Sequence, residues 1–287
     1  MVVLENALIK ASIDPRGAEL KSLLYKENNV EYIWNGDPKY WARHSPVLFP
    51  IVGSLKNDSF IYEGKKYTLK RHGFARDMIF EKEAVFGDSA SFVLKSSAET
   101  LEIYPFKFLL RIKYQLNGNS IRVDYEVENP GNKALYFSIG SHPAFNVPLV
   151  KGTSYEDYYL DFSEEENAER WTISDNLITG TVPFLQDQKK LQLKASLFEN
   201  DALVFKGLKS NRISICSDKT IHGLHYDFRG FPYLGIWAAK DAPFVCIEPW
   251  FGIADSESHN QNIEQKEGII KLDQGHKWDA GWSLTCV

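Results

Sequence analysis

The chain has 287 residues, of which 44% are hydrophobic and 25% charged, and its 33 basic and 38 acidic residues give a formal charge of −5. This is the composition of an ordinary globular protein. The basic residues are dispersed along the sequence, whereas a nucleic-acid-binding protein needs a stripe of Lys and Arg to neutralise phosphates, so we expect no nucleic-acid partner.

Alternation of apolar and polar residues, the pattern of half-buried β-strands, dominates wherever a period is visible. In chain order the sequence predicts strands over 7–14, 19–25, 60–62, 91–94, 108–116, 120–128, 134–139, 158–162, 191–193, 202–205, 212–216, 233–237 and 244–247. Asn117-Gly118-Asn119 favours the positive φ angles of a tight turn and predicts a hairpin of 108–116 with 120–128. Helical patterning is confined to short pieces near 39–41 and 195–199, and the acidic cluster 163–166 is interpreted as a solvated loop.

Many short strands, without a repeat or a Pro/Gly/Ser-rich linker, favour an all-β fold with few short helices. Because roughly 15 or more strands exceed a small sandwich, we expect two broad antiparallel sheets packed face to face. We expect residues 1–287 to form a single domain.

The cysteines and the N-terminal segment indicate the cellular compartment of the protein. Cys216, Cys246 and Cys286 are widely spaced and form no C-x-x-C pair, so we expect reduced thiols. The first residues lack the basic and apolar regions of a secretory signal, and no stretch approaches the roughly 18 apolar residues of a membrane span. We therefore expect a cytoplasmic protein with no membrane partner.

Four segments depart from the alternation and place polar side chains beside Gly and Pro, at 43–56, 71–77, 140–148 and 246–255. Gly and Pro at strand ends hold the backbone rigid beneath a functional group. These segments include His72, His142 and, directly after an apolar run, Glu248. His and a partly buried Glu are the residue types that serve general acid–base catalysis near neutral pH, although each is also common in a purely structural role.

Other chemistries have less support. His72, His142 and Glu248 could form a His₂Glu metal site, but the close i, i+4 His pair of zinc hydrolases is absent. The sequence contains no G-x-S-x-G nucleophile motif and no glycine-rich phosphate loop. We therefore predict neither a metal nor a cofactor.

The motifs RHSPVLFPIVG at 43–53, HGFARD at 72–77, GSHPAFNVP at 140–148 and the strand ending in Glu248-Pro-Trp resemble, in this order, the aldose 1-epimerase (galactose mutarotase) superfamily. The resemblance covers nearly the whole chain and is strongest to the branch whose genes often accompany lactose operons. It implies a large antiparallel β-supersandwich and a cofactor-free isomerase of sugar anomers. By motif position Glu248 matches the family base that deprotonates the anomeric hydroxyl, His142 the acid that protonates the ring oxygen, and His72 a second His that polarises the ring or C1 oxygen.

The resemblance also suggests sugar-binding residues. Asp201 resembles the family aspartate that binds sugar hydroxyls, and a turn-forming Asn-Asp is the alternative. The Arg that the family usually carries after the Val-Gly of the first motif is replaced here by Ser54. Arg76 is then the strongest remaining guanidinium, with a structural ion pair to Asp77 as its alternative. Most aromatic residues must lie in the core, and of those near the motifs we predict sugar stacking for Trp250 and Phe74.

Three functions are compatible with the sequence. The leading prediction is an aldose 1-epimerase that interconverts the α and β anomers of a hexose. A hexose-6-phosphate mutarotase is the alternative, in which Lys56, Arg71 and Arg76 would form a cationic corner for the phosphate. The Ser54 replacement keeps open a non-catalytic sugar-binding or sensing protein. In each case the expected partner is a small-molecule sugar, and the chain is expected to be a monomer or homodimer.

Overall fold

The computed structural model describes residues 1–287 and consists almost entirely of β-structure. The strands are β1 (Val2–Glu5), β2 (Ile9–Asp14), β3 (Glu19–Tyr25), β4 (Val30–Glu31), β5 (Val47–Leu48), β6 (Ser59–Tyr62), β7 (Lys65–Thr68), β8 (Glu81–Val85), β9 (Ser89–Lys95), β10 (Leu109–Asn117), β11 (Ser120–Glu128), β12 (Leu135–Phe137), β13 (Ile139–Ser141), β14 (Ala144–Asn146), β15 (Tyr158–Ser174), β16 (Leu177–Gln192), β17 (Leu203–Lys206), β18 (Arg212–Ser217), β19 (Thr220–Asp227), β20 (Tyr233–Trp237), β21 (Phe244–Phe251), β22 (Ile270–Leu272) and β23 (Lys277–Cys286).

Helices are few and short. They comprise one α-helix, α1 (Ala98–Ile103), and 3₁₀ turns at Lys56–Asp58, Ala75–Asp77, Tyr155–Asp157, Ala195–Phe198 and Ile263–Gln265. The all-β class with few short helices is thus confirmed. No helix has the length and apolar character needed to cross a membrane.

The largest sheet has 15 strands in the order β5-β13-β21-β20-β17-β15-β18-β19-β23-β11-β10-β9-β8, with β14 beside β21 and β16 beside β15. A second, four-stranded sheet contains β1 to β4, and β6-β7 and β12-β22 form two-stranded ribbons. Neighbouring strands are antiparallel throughout.

The large sheet curls back on itself to make both layers of the sandwich. β13 and β19 stand six strand positions apart along the sheet, which in a flat sheet would separate them by about 29 Å at roughly 4.8 Å per strand. Instead Ser141 on β13 and Tyr226 on β19 form a hydrogen bond of 2.7 Å between their hydroxyl oxygens. The two expected layers are therefore largely parts of one hydrogen-bonded sheet, and the main core fills the space between them.

The predicted hairpin is present. β10 and β11 pair in register from Leu109 with Glu128 to Asn117 with Ser120, leaving Gly118 and Asn119 as a two-residue loop. Gly118 takes a φ of 56°, which a glycine adopts at no steric cost. Of the two predicted helical pieces, the one near 195–199 is a 3₁₀ turn, whereas 39–41 belongs to a turn.

The acidic cluster 163–166 is not a loop, so that interpretation is wrong. It lies in the middle of β15, which continues to Ser174 and pairs with β16 in a long hairpin. The alternation ends at Phe162, where the pairing with β18 stops, and most of β15 beyond it is solvated on both faces. Glu166 is buried there and accepts hydrogen bonds from the main-chain N–H groups of Lys209 and Ser210.

Candidate active site

A pocket of about 240 Å³ opens where β13, β17, β20 and β21 lie side by side in the large sheet. Six of the eight residues predicted for the site line it, namely His72, Arg76, His142, Asp201, Glu248 and Trp250. Glu248 and Trp250 lie two residues apart on β21, so both side chains leave the same face of the strand. His142 follows β13, and Asp201 stands in the turn before β17.

His142 and Glu248 form a close pair at the floor of the pocket. His142 Nε2 lies 3.3 Å from Glu248 Oε2, and both side chains are at least nine-tenths buried. The Trp41 ring stacks on the imidazole with a centroid separation of 4.8 Å and an interplanar angle of 23°. No hydrogen bond is made by His142 Nδ1, so ring packing and the main chain hold the imidazole in place.

Burial shifts the pKa values of this pair in opposite directions. Loss of hydration raises the pKa of the Glu248 carboxyl well above its ordinary value, an effect that the positive charge of Arg71 partly offsets. Loss of hydration, together with the positive charges of nearby arginines, lowers the pKa of His142 to about 3. Over the pH range in which an exposed His and an exposed Glu would each titrate, the pair therefore holds one proton between its two side chains.

His72 lies in the left-handed region with a φ of 66°, which aims its ring at the pocket from the turn after β7. The Gly53 main-chain N–H faces Nδ1 at 3.1 Å, and the Arg71 Nε–H faces Nε2 at 3.1 Å. Because a neutral imidazole accepts at only one nitrogen, both donors cannot be satisfied. We assign the acceptor role to Nδ1, since a main-chain N–H is less mobile than a guanidinium. Nε2–H and the Arg71 guanidinium are then two neighbouring donors in the pocket lining, and each needs an acceptor from elsewhere, such as a ligand oxygen.

Two glycines determine where the Trp250 ring lies. Trp250 pairs with Gly140 of β13, and a Cβ at Gly140 or at Gly235 of β20 would overlap the indole. The ring therefore lies flat across the sheet beside Glu248, which itself pairs with Gly235. The indole Nε1 is buried and makes no hydrogen bond of ordinary geometry, and its N–H lowers the pKa of the neighbouring Glu248 carboxyl, so Trp250 offers the pocket mainly an apolar surface.

Arg71 and Arg76 supply the positive charge of the pocket. Arg76 Nη2 donates to the Arg71 carbonyl at 2.9 Å, whereas its Nε is buried without a hydrogen-bond partner. Asp77, the predicted structural partner of Arg76, lies 3.9 Å from it and is instead bound by Arg43 at 2.8 Å. Arg76 therefore lines the pocket with a guanidinium whose Nε makes only a long ion pair with Asp77 and no hydrogen bond.

Two predicted contacts are corrected by the structure, because Lys56 and Phe74 do not line the pocket. Lys56 Nζ donates to the main-chain carbonyl of His259 at 3.3 Å. Phe74 packs edge-on against Phe49 and Tyr104 in the main core. Neither residue belongs to a regular strand, so the sequence pattern carried no information on which way its side chain points.

The pocket also contains residues that the sequence analysis did not assign to it, namely Trp41, Trp237 and Asn176. Trp41 and Trp237 were counted with the core aromatics. Asn176 lies at the tip of the β15–β16 hairpin, and its Oδ1 accepts a hydrogen bond of 2.6 Å from Arg71 Nη1. The one sequence signal for this tip is the turn-favouring pair Asp175-Asn176, which predicts a turn but not a position in the pocket.

One wall of the pocket is built from three chain segments, at Gly53, Ile178 and Ala254. Asp255 joins them: its N–H donates to the Ser54 carbonyl and its carbonyl accepts from the Ile178 N–H, both at 2.9 Å. Its carboxylate is held by the fully buried Lys266 Nζ at 2.8 Å. This internal ion pair fixes the wall from behind without facing the pocket.

Comparison with known proteins identifies the family of the chain. A sequence model of the family described as aldose 1-epimerase matches residues 1–279. The chain belongs to the aldose 1-epimerase family. This confirms the family predicted from the motifs and the supersandwich fold that the resemblance implied.

Among similar proteins, the chain is 39% identical over 285 residues to the protein LacX, plasmid, of Lactococcus lactis subsp. lactis, covering 94% of each. A galactose mutarotase related enzyme from Lactobacillus acidophilus superposes with a TM-score of 0.95 at 37% identity, over 99% of this chain and 96% of the other. A galactose mutarotase-like protein from Lactobacillus casei ATCC 334 superposes with a TM-score of 0.94 at 32% identity, over the whole of both chains. The chain thus has the fold and length of mutarotase-type proteins.

Proposed function

We propose that this protein is a mutarotase that opens and recloses the ring of a hexose, with Glu248 as the base and His142 as the acid. The observation that carries the proposal is the buried His142–Glu248 pair, whose reactive atoms lie 3.3 Å apart at the floor of a pocket of about 240 Å³. Since an engineered cavity of about 150 Å³ admits benzene, a pocket of this size with an open mouth suits one six-membered sugar ring and its hydroxyls.

Proton transfer between these two groups and the sugar balances without a cofactor. Glu248 takes the proton of the anomeric hydroxyl, His142 gives a proton to the ring oxygen, and the bond between C1 and the ring oxygen breaks to leave the open-chain aldehyde. Rotation about the C1–C2 bond and the reverse transfers then close the other anomer. The enzyme ends with the protons it began with.

The electrostatics of the pocket bear on where the shared proton lies. Burial alone favours the neutral carboxyl and neutral imidazole. Arg71 lowers the pKa of Glu248, and a sugar hydroxyl that donates to the carboxylate lowers it further. Sugar binding therefore moves the pair toward the carboxylate and imidazolium that the proposed mechanism requires, with His72 and Arg71 placed to bind the C1 or ring oxygen.

The first test is polarimetry, or saturation-transfer NMR, of anomer exchange with a panel of glucose, galactose, tagatose and their 6-phosphates. Wild type is compared with Glu248→Gln, His142→Asn and the matched control Glu257→Gln, an exposed carboxylate. We expect each site variant to lower kcat by at least about 10²-fold, the scale of a lost general acid or base, and the control to leave it unchanged. A loss of less than tenfold in both site variants would refute their roles. Sugar binding without any rate enhancement by wild type would favour the sugar-sensing alternative.

A phosphorylated hexose is the second candidate substrate. The two guanidinium side chains in the pocket lining, Arg71 and Arg76, favour it because a guanidinium suits phosphate oxygens. For a 6-phosphate substrate, Arg76→Gln should raise KM at least about tenfold, and added salt should raise the KM of wild type. The exposed Arg229 provides the control Arg229→Gln. Equal KM changes for the free sugar and its 6-phosphate would exclude a phosphate-binding role of Arg76.

A further inference from the structure

A cysteine lies directly beneath the proposed acid–base pair. Cys246 and Glu248 alternate on β21, so their side chains leave the same face, and Cys246 is completely buried. One ligand atom each of His142, Cys246 and Glu248 lies within 4.8 Å of the other two. The mutarotase mechanism makes no use of this sulfur.

The spacing of these atoms is close to that of a tetrahedral zinc site. Zinc binds His nitrogen and carboxylate oxygen at about 2.0–2.1 Å, so tetrahedral geometry places these two ligand atoms about 3.3–3.4 Å apart. His142 Nε2 and Glu248 Oε2 already lie 3.3 Å apart. With a zinc–sulfur bond of about 2.3 Å, the sulfur should lie about 3.6 Å from each of them. The greatest separation within the cluster is 4.8 Å, so a shift of about 1.2 Å or less completes the geometry.

The side chains are also available for such binding. His142 is nine-tenths buried, and a small shift of its ring breaks no hydrogen bond at Nδ1. Cys246 forms no disulfide. A thiolate and a carboxylate together offset the two positive charges of the ion, which the arginine-rich pocket would otherwise repel.

We propose that His142, Cys246 and Glu248 form an inhibitory site for a borderline-soft divalent cation such as Zn²⁺, whose fourth coordination position faces the pocket. The thiol releases its proton to solvent as the Zn–S bond forms, and the carboxylate and the neutral imidazole bind without redox change. The bound ion occupies both the base and the acid, so it blocks mutarotation. The inhibitory part of this inference rests on the proposed function, whereas the binding part does not.

Cobalt binding to full-length, chelator-treated protein tests the site directly, because a Co²⁺–thiolate bond gives a charge-transfer absorption band. Zn²⁺ is then titrated as a competitor, and anomer exchange is measured in parallel with and without Zn²⁺. The variants are Cys246→Ser and Cys246→Ala, with Cys216→Ser as the matched control on β18. In metal-free buffer we expect all of them to retain wild-type activity.

We expect wild type and Cys216→Ser to bind one Co²⁺ with the thiolate band and to lose activity as Zn²⁺ binds. Both Cys246 variants should lack the band and need at least about tenfold more Zn²⁺ for the same inhibition, as expected for loss of one of three ligands. Absence of the band in wild type, or equal Zn²⁺ inhibition of wild type and the Cys246 variants, would overturn the proposal. If no sugar proves to be a substrate, the cobalt band still decides whether the ion binds, so the two proposals fail separately.

Discussion

Replacement of His72 by Asn tests whether this histidine is held neutral in the folded protein. His72 is 6% exposed, and burial, followed by the charges of His142 and Arg71, lowers its pKa well below the ordinary 6.5. Asn tolerates the left-handed backbone that His72 adopts, and it does not titrate. The substitution therefore removes one titrating group with little change of backbone strain.

The size of the effect follows from proton uptake by the unfolded chain. Below about pH 6.5 the unfolded chain binds a proton at His72 and the folded chain does not, so the free energy of unfolding falls as the pH is lowered. The loss approaches about 1.4 kcal/mol per pH unit, and between pH 7.5 and 5.5 it amounts to about 1.4 kcal/mol. The stability that neutral His72 contributes is fully present above pH 6.5 and is lost in the acid range.

Urea unfolding of wild type and His72→Asn at pH 7.5 and pH 5.5 measures this loss as a difference of differences. We expect wild type to lose about 1.4 kcal/mol more than the variant, because all other titrating groups, including the His142–Glu248 pair, are present in both proteins. If the difference in free energy of unfolding between wild type and variant is the same at both pH values within about 0.3 kcal/mol, His72 takes up its proton in the folded state. The assigned neutral tautomer would then be wrong.

Three further predictions concern the walls of the pocket. Lys266→Met removes the buried cation of Asp255, whose carboxylate keeps only the Lys56 main-chain N–H and His259 as partners, and should lower the free energy of unfolding by about 3 kcal/mol. A loss below about 1 kcal/mol in chemical denaturation would mean that the ion pair is not needed to hold the wall. Asn176→Ala removes the acceptor of Arg71 Nη1 and should raise KM about 2- to 10-fold with kcat nearly unchanged in the anomer-exchange assay; an unchanged KM would show that the hairpin tip does not position Arg71. Gly53→Ala and Gly64→Ala both place a Cβ at positive φ, at 70° and 75° respectively. Only at Gly53 would the new Cβ overlap a neighbour, the Ala254 Cβ, at 2.6 Å. In thermal denaturation, Gly53→Ala should therefore lower the free energy of unfolding well beyond the roughly 1 kcal/mol expected for Gly64→Ala. Equal losses of stability in the two variants would contradict the close packing of this wall.

Local sequence patterns were sufficient for part of the strand content and for part of the site. Alternation identified β2, β10 and β11 because each has one buried and one exposed face, and this burial is visible residue by residue. The order of the motifs identified the family and brought forward His72, His142 and Glu248, which the fold places in one pocket.

The tertiary structure decided the features that depend on partners distant in the chain. Most of the β15–β16 hairpin beyond Phe162 is solvated on both faces, so it has no alternation to detect, and its strands are defined by their pairing with each other. Asn176 and Arg71 are 105 positions apart in sequence, and neither lies in a segment whose pattern sets a side-chain direction. The sequence alone therefore determined part of the strand content and the segments that carry reactive groups, whereas strands such as β8, β19 and β23 were not predicted. Only the curling of the sheet, driven by burial of a common core, determined which of those groups meet.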